Sequence, residues 1–226
     1  MTLIQIGSGS ANFDTSVKDG FTNFIKKNKI KGRIFIIEAN SIHLKNLKKF
    51  WKLNKNVKIL NLAITADNIS KNKMAFFYSE KDKPNYQLFS NSKSFVKKYF
   101  PYGKIQKKIV NFLNISKFFK KNKLKKIDFL SLDIEGMDYD VLINLDLKEI
   151  DIKHISFEHL HITIWQKFKI VLKFIKNDYY FSGMGFDVRK SDWMFTKGYK
   201  YKKVSTYLLP ITPRRIWKKY LFSKYI

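Results

Sequence analysis

The chain has 226 residues, 45% of them hydrophobic, with no cysteine and a formal net charge of +27. That length and apolar content exclude a disordered chain and predict one domain with a real core, while the missing cysteine excludes disulfides and cysteine-ligated zinc. The charge invites a nucleic-acid partner, yet only four of the 45 basic residues are arginine (Arg33, Arg189, Arg214, Arg215), and arginine is the preferred reader of phosphates and guanine edges. In chain order, Leu3 to Gly7 reads as a first strand ending in the glycine turn Gly7-Ser8-Gly9-Ser10. Asp14 or Thr15 can cap a helix with Val17, Phe21, Phe24 and Ile25 on its apolar face, ending near Gly32. Arg33 to Glu38 is apolar on both faces, so it is expected as an internal parallel strand. Ser41 can cap a second helix carrying Leu44, Leu47, Phe50 and Trp51, and a third strand covers Val57 to Ile64. Strands alternating with helices predict a doubly wound parallel sheet.

Residues 74–79 read as a short strand and residues 80–106, polar and aromatic with Pro84 and Pro101, as a loop or lid over the sheet edge. Lys107 to Leu113 follows as a strand, then a short helix that Ser116 can cap. The run Phe129-Leu-Ser-Leu-Asp-Ile-Glu-Gly136 is a strand ending in two acids and a turn, with a helix-like pattern (Tyr139, Leu142, Ile143) after it. Strand alternation puts Asp133 and Glu135 on one face, at the strand end where open α/β sheets bind ligands. Ile152 to Glu158 is the fifth main strand, ending in Glu158-His159-Leu160-His161. A helix at about 165–177 and a hairpin of residues 186–189 and 193–197 complete the domain. The tail from Ile211 to Ile226 mixes arginine and lysine with aromatic residues, the composition of a helix resting on an acidic membrane surface or packing on the domain or a second subunit.

Gly7-x-Gly9 between strand and helix lets a cofactor approach the backbone, but it serves equally as an ordinary tight turn. Glu38, one βαβ unit later, stands where an acid accepts hydrogen bonds from ribose hydroxyls. Two further readings concern charge. Asp138 and Asp140 in the first turn of a helix are read as structural. Asp133, Glu135 and Glu158 offer the hard oxygen ligands that Mg2+ accepts, although the sequence assigns no metal.

These pieces together resemble the FkbM-type methyltransferase family. Ile4-Gln5-Ile6-Gly7-Ser8-Gly9-Ser10 is similar to its first motif, with Gln5 where an acid is usual. Ile37-Glu38-Ala39-Asn40 resembles its Glu-Pro-Asn motif, Asn61-Leu62-Ala63-Ile64 its Asn-x-Ala-Ile motif, and Asp133-Ile-Glu-Gly136 with Val141-Leu142 is the most specific match. Ser156-Phe157-Glu158, Gly185-Phe186 and Asp192 extend it in order to about residue 197. The resemblance implies an α/β, Rossmann-like class I methyltransferase fold, a mostly parallel seven-stranded sheet with a C-terminal antiparallel hairpin, in a domain of residues 1–204 followed by the tail 205–226. It implies S-adenosyl-L-methionine as cofactor and a hydroxyl of a sugar or glycan as acceptor. Gly7, Ser8 and Gly9 would lie under the methionine portion, Glu38 would hold the ribose with Ala39 and Asn40 beside it, and Asn61, Leu62 and Ala63 would flank the adenine. Gln5 leaves the contact to the cofactor's amino group open. Asp133, Glu135 and His159, with His161 in reserve, are the candidates for orienting the acceptor and removing its proton. The competing readings are a polyanion- or membrane-binding module on a degenerate Rossmann-like domain, and a nucleic-acid methyltransferase. The amino terminus has no secretory pattern, so a cytoplasmic protein, peripheral at the inner membrane face through its tail, is expected.

Overall fold

β-Branched and aromatic runs bounded by glycine and asparagine turns set the strands of this chain, and lysine-faced amphipathic segments set the helices. The computed structural model describes residues 1–11, 19–66, 72–83, 86–186 and 192–198. Asn12, Asp14, Thr15, Val17, Pro84, Arg189 and the tail 205–226 lie outside these residues. In chain order the elements are β1 (Thr2–Ile6), α1 (Gly20–Lys27), β2 (Arg33–Ile37), a 3-10 turn (Ser41–His43), α2 (Leu44–Trp51), β3 (Val57–Leu60), β4 (Ala63–Thr65) and β5 (Lys73–Ser79). A second 3-10 turn (Glu80–Asp82), α3 (Lys93–Tyr99), β6 (Ile105–Asn114), α4 (Ile115–Lys121), β7 (Lys126–Leu132), α5 (Asp138–Asn144), β8 (Asp151–Glu158), α6 (Ile164–Lys176), β9 (Tyr179–Met184) and β10 (Asp192–Lys197) follow.

Seven strands form the main sheet in the order β3-β2-β1-β7-β8-β10-β9. β1, β2, β3, β7 and β8 pair in parallel, while β10 runs antiparallel to both β8 and β9. The alternation along each strand divides the core. Ile4, Phe35, Leu130 and Leu132 face α4, α5 and α6; Leu3, Ile34, Ile36 and Phe129 face α1 and α2. This is the doubly wound, Rossmann-like α/β architecture expected from the sequence. The strand order reverses between β1 and β7, so a crevice opens there at the carboxyl ends of the parallel strands.

Several boundaries differ from the sequence reading. The expected strand Val57–Ile64 is two strands. β3 stays in the main sheet, and β4 leaves it to pair with β6 in a three-stranded sheet of order β4-β6-β5. Asn61 makes the break, donating from Nδ2 to the carbonyls of Glu38 and Ala39 at 2.8 and 3.0 Å. Residues 80–106 are not a plain loop, because Ser92 caps α3 through a bond to the Phe95 amide. Asp19 caps α1, accepting from the Thr22 amide at 2.9 Å, and Asn114 rather than Ser116 caps α4. Asn40, not Ser41, caps the 3-10 turn that leads into α2. The first hairpin strand is Tyr179–Met184, several residues before the expected position. Turn chemistry explains the shifted caps: Asn, Asp and Ser side chains bonding nearby amides compete with regular structure at element ends.

Candidate active site

A cavity of about 280 Å³ opens at the carboxyl ends of β1, β2 and β7, between the main sheet and the smaller one. Gly7, Ser8, Gly9, Glu38, Ala39, Ala63, Asp133 and Glu135 all line it. Gly7 has φ +81°, and a Cβ there would sit 1.6 Å from the Asp133 carbonyl oxygen. Only glycine lets the ends of β1 and β7 come so close. Gly9 also has positive φ (+53°), and a Cβ built on it would meet nothing within 4 Å, so its backbone is open to the cavity.

Glu38 closes one end of this cradle. Its Oε2 accepts from the Gly9 amide at 2.8 Å and its Oε1 from the Asn40 amide at 2.6 Å. Burial raises its pKa above the ordinary value, while His43 and these amides pull it back. Beside it, His43 Nε2 meets the Tyr86 carbonyl at 3.1 Å. A carbonyl only accepts, so Nε2 carries a proton there, and Nδ1 meets the Ser10 hydroxyl at 2.7 Å. Ser10 and His43 line the cavity too. Asn40 and Asn61 do not. Asn40 is fully buried and caps its turn, and Asn61 bonds the turn after β2.

Gln5 stands at this end without an acid of its own, but tertiary structure supplies one. Its Nε2 donates to Asp19 Oδ1 at 3.0 Å, and both residues line the cavity. Desolvation holds the Asp19 carboxyl above its ordinary pKa, against bonds from Thr22 and Gln5. Sequence reasoning missed Asp19 because it sits beyond β1, before a helix whose start was placed earlier.

The opposite end follows β7. The strand stops at Leu132, although the Asp133 amide still donates to the Ile6 carbonyl at 2.9 Å. Glu135 has φ +51° and Gly136 φ +95°. Strand alternation therefore does not orient Asp133 and Glu135; a left-handed turn does. The Ser90 hydroxyl holds that turn by donating to the Glu135 carbonyl at 2.9 Å, and Asp138 Oδ1 accepts from the Ile134 amide at 3.3 Å. Burial first, then the charges of Asp133 and Asp138, push the Glu135 carboxyl up to about 9. Burial pushes Asp138 up to about 7.

The two histidines after β8 separate. His159 is buried, stacked on Trp193 with centroids 4.6 Å apart, and its Nδ1 lies 3.4 Å from Lys167 Nζ. It is not on the cavity wall. His161 turns toward the acids instead. Its Nε2 is 3.2 Å from Glu158 Oε2 and 3.5 Å from Glu135 Oε2, and its Nδ1 is 2.9 Å from the Tyr99 hydroxyl. The oxygen-ligand trio expected from sequence is thus regrouped, with His161 taking the place of Asp133. Phe89 and Gln87, from the segment read as a loop, line the cavity, and Phe89 stacks on Phe76 at 5.0 Å. No helix among the described residues is long and apolar enough to cross a membrane.

The family model described as the Methyltransferase FkbM domain matches residues 8–188. No curated protein matches the chain. The crystal structure of a methyltransferase FkbM from Methylobacillus flagellatus KT is similar over 86% of this chain, at 12% identity and a TM-score of 0.47. This chain spans 43% of that one. By the extent of the family match, the chain belongs to the FkbM methyltransferase family.

Proposed function

We propose that this protein is an S-adenosyl-L-methionine-dependent O-methyltransferase acting on a hydroxyl of a sugar or glycan. The observation that carries the reading is a single cavity at the sheet's switch point, with a glycine cradle and Glu38 at one end and Asp133 and Glu135 at the other. The residues fit the cofactor. Gly9 exposes its backbone to the cavity, and the Glu38 carboxylate on the cavity wall offers an acceptor to a ribose hydroxyl. Asp19, held by Gln5, offers a carboxylate to the amino group. Ala63, with Leu62 and Phe76, gives the apolar wall that an adenine ring needs. Asn40 and Asn61 act indirectly, by fixing the turn that presents Glu38 and Ala39.

S-adenosyl-L-methionine supplies, when bound, a methyl already activated on a sulfonium. What remains for the protein is to place the acceptor oxygen in line and take its proton. Asp133 and Glu135 lie on the cavity wall for that purpose. Held at about 9, the Glu135 carboxyl carries its proton at neutral pH and orients the acceptor oxygen, which leaves Asp133 to take the acceptor's proton. His161, in contact with Glu135, replaces His159 as the histidine beside the acceptor. The sugar acceptor follows the family resemblance.

Calorimetry with S-adenosyl-L-methionine and S-adenosylhomocysteine tests the reading, on wild type and Glu38→Ala with melting curves in parallel. Binding by the wild type that collapses in a folded Glu38→Ala protein is expected. No binding by the folded wild type overturns the proposal and favours the anion-binding module.

A further inference from the structure

Three side chains converge where β7 and β8 end: Glu135 from the turn after β7, Glu158 from the last residue of β8 and His161 from the connection after it. One ligand atom from each of Glu135, Glu158 and His161 lies within 4.8 Å of the other two. The distances from His161 Nε2 to the two carboxylate oxygens are 3.2 and 3.5 Å. Neighbouring ligands around an ion with bonds of about 2.1 Å stand roughly 3.0–3.4 Å apart, whether octahedral or tetrahedral. A charge-assisted N–H···O bond closes further, to about 2.7–2.9 Å. Glu135 Oε2 is buried and takes no hydrogen bond among the described residues. Its backbone is held at φ +51°, a conformation uncommon outside glycine and asparagine, and that turn aims it at His161. The ring of His161 is oriented through its other nitrogen by Tyr99, and packed edge-on by Phe95 at 4.8 Å. Anchoring the second imidazole nitrogen is how proteins aim a metal-binding histidine.

We propose that Glu135, Glu158 and His161 bind one divalent cation. Two carboxylates and one imidazole suit Mn2+ and its transition-metal neighbours better than Mg2+, which prefers an all-oxygen shell. Glu135 and Glu158 line the cavity, so a bound ion faces its acceptor end. Its use in orienting an acceptor hydroxyl rests on the methyl transfer proposed above; the binding itself does not.

The test is a Mn2+ titration of the full chain without cofactor, followed by the electron paramagnetic resonance of the free ion. Wild type, Glu135→Gln, His161→Ala and His159→Ala are compared, each checked for folding by circular dichroism. Saturable binding of one ion per chain is expected, weakened roughly tenfold or more in Glu135→Gln and His161→Ala and retained in His159→Ala. Two results overturn the site: no saturable binding by folded wild type, or binding that Glu135→Gln and His161→Ala both leave unchanged. Calorimetry with S-adenosylhomocysteine on the same samples reads the cofactor separately, so failure of either proposal is visible on its own.

Discussion

At the β1/β2 end of the cavity, acids are met by backbone and side-chain donors; at the β7/β8 end, acids crowd one another around His161. Glu38 receives the amides of Gly9 and Asn40, and Asp19 receives the Thr22 amide and the Gln5 side chain. Glu135 feels Asp133 and Asp138 beside it, and its carboxyl rises to about 9. The first arrangement is preorganised to accept hydrogen bonds without rearranging. The second holds charge strain that a proton or a cation relieves. In the proposed function, binding and chemistry occupy opposite ends of one cavity, and the surroundings of the carboxylates distinguish the two.

The largest expected effect comes from the point that joins the two ends. Gly7→Ala places a methyl 1.6 Å from the Asp133 carbonyl at φ +81°. A loss of about 4 kcal/mol, close to the whole stability of many domains, is expected in urea unfolding. A stable Gly7→Ala protein would mean that the two strand ends are not locked together.

His154, on β8 but away from the rim, separates acid sensitivity of the strand from that of the site. It stacks on Phe129 at 4.3 Å, and burial lowers its pKa to about 4. The unfolded chain therefore binds the proton more readily than the folded one. Stability is full above about pH 6.5 and falls as the pH drops toward about 4, by on the order of 3 kcal/mol. The slope should flatten over that window in His154→Gln, as read by melts across pH. A slope that His154→Gln leaves intact would assign the loss to His161, because the raised carboxyls of the rim bind protons more readily in the folded chain and act in the opposite direction.

Glu38→Gln tests the satisfied end more gently. One carboxylate oxygen becomes a donor facing a backbone amide that also donates, at a cost of about 2 kcal/mol in stability and a clear fall in cofactor affinity. If stability is unchanged, the amide contacts of Glu38 are dispensable and the contrast between the two ends weakens. Asp19→Asn is the smallest change. It keeps an acceptor for the Thr22 amide, so stability should shift by under about 1 kcal/mol. Cofactor affinity should fall roughly tenfold, about 1.4 kcal/mol, because an ammonium loses its counter-charge. Unchanged affinity in calorimetry would remove Asp19 from the cofactor contacts.

Much of this was legible in the chain. The alternation Leu3-Ile4 and Ile34-Phe35-Ile36-Ile37 encodes strands buried on both faces, and Gly7 encodes a close approach, because period and backbone freedom are local properties. So were Glu38, Asp133 and Glu135 as residues of one crevice, since every parallel strand of such a sheet ends on the same side. Other features depend on turns, which side chains such as Asn61, Ser92 and Asn114 decide by bonding amides or carbonyls that sequence periodicity does not register.

Hydrophobic period and glycine placement act within a few residues, so the doubly wound sheet, its glycine cradle and the acids at its rim are written into the chain. Tertiary structure alone decided which partners those acids meet. His161 rather than His159 reaches Glu135, since a left-handed turn at Glu135 and the stacking of His159 on Trp193 set the directions. Asp19 comes to stand beside Gln5 because α1 starts over the same cavity at which β1 ends. Contacts of this kind join residues brought close by packing, and no local pattern of residue types specifies them.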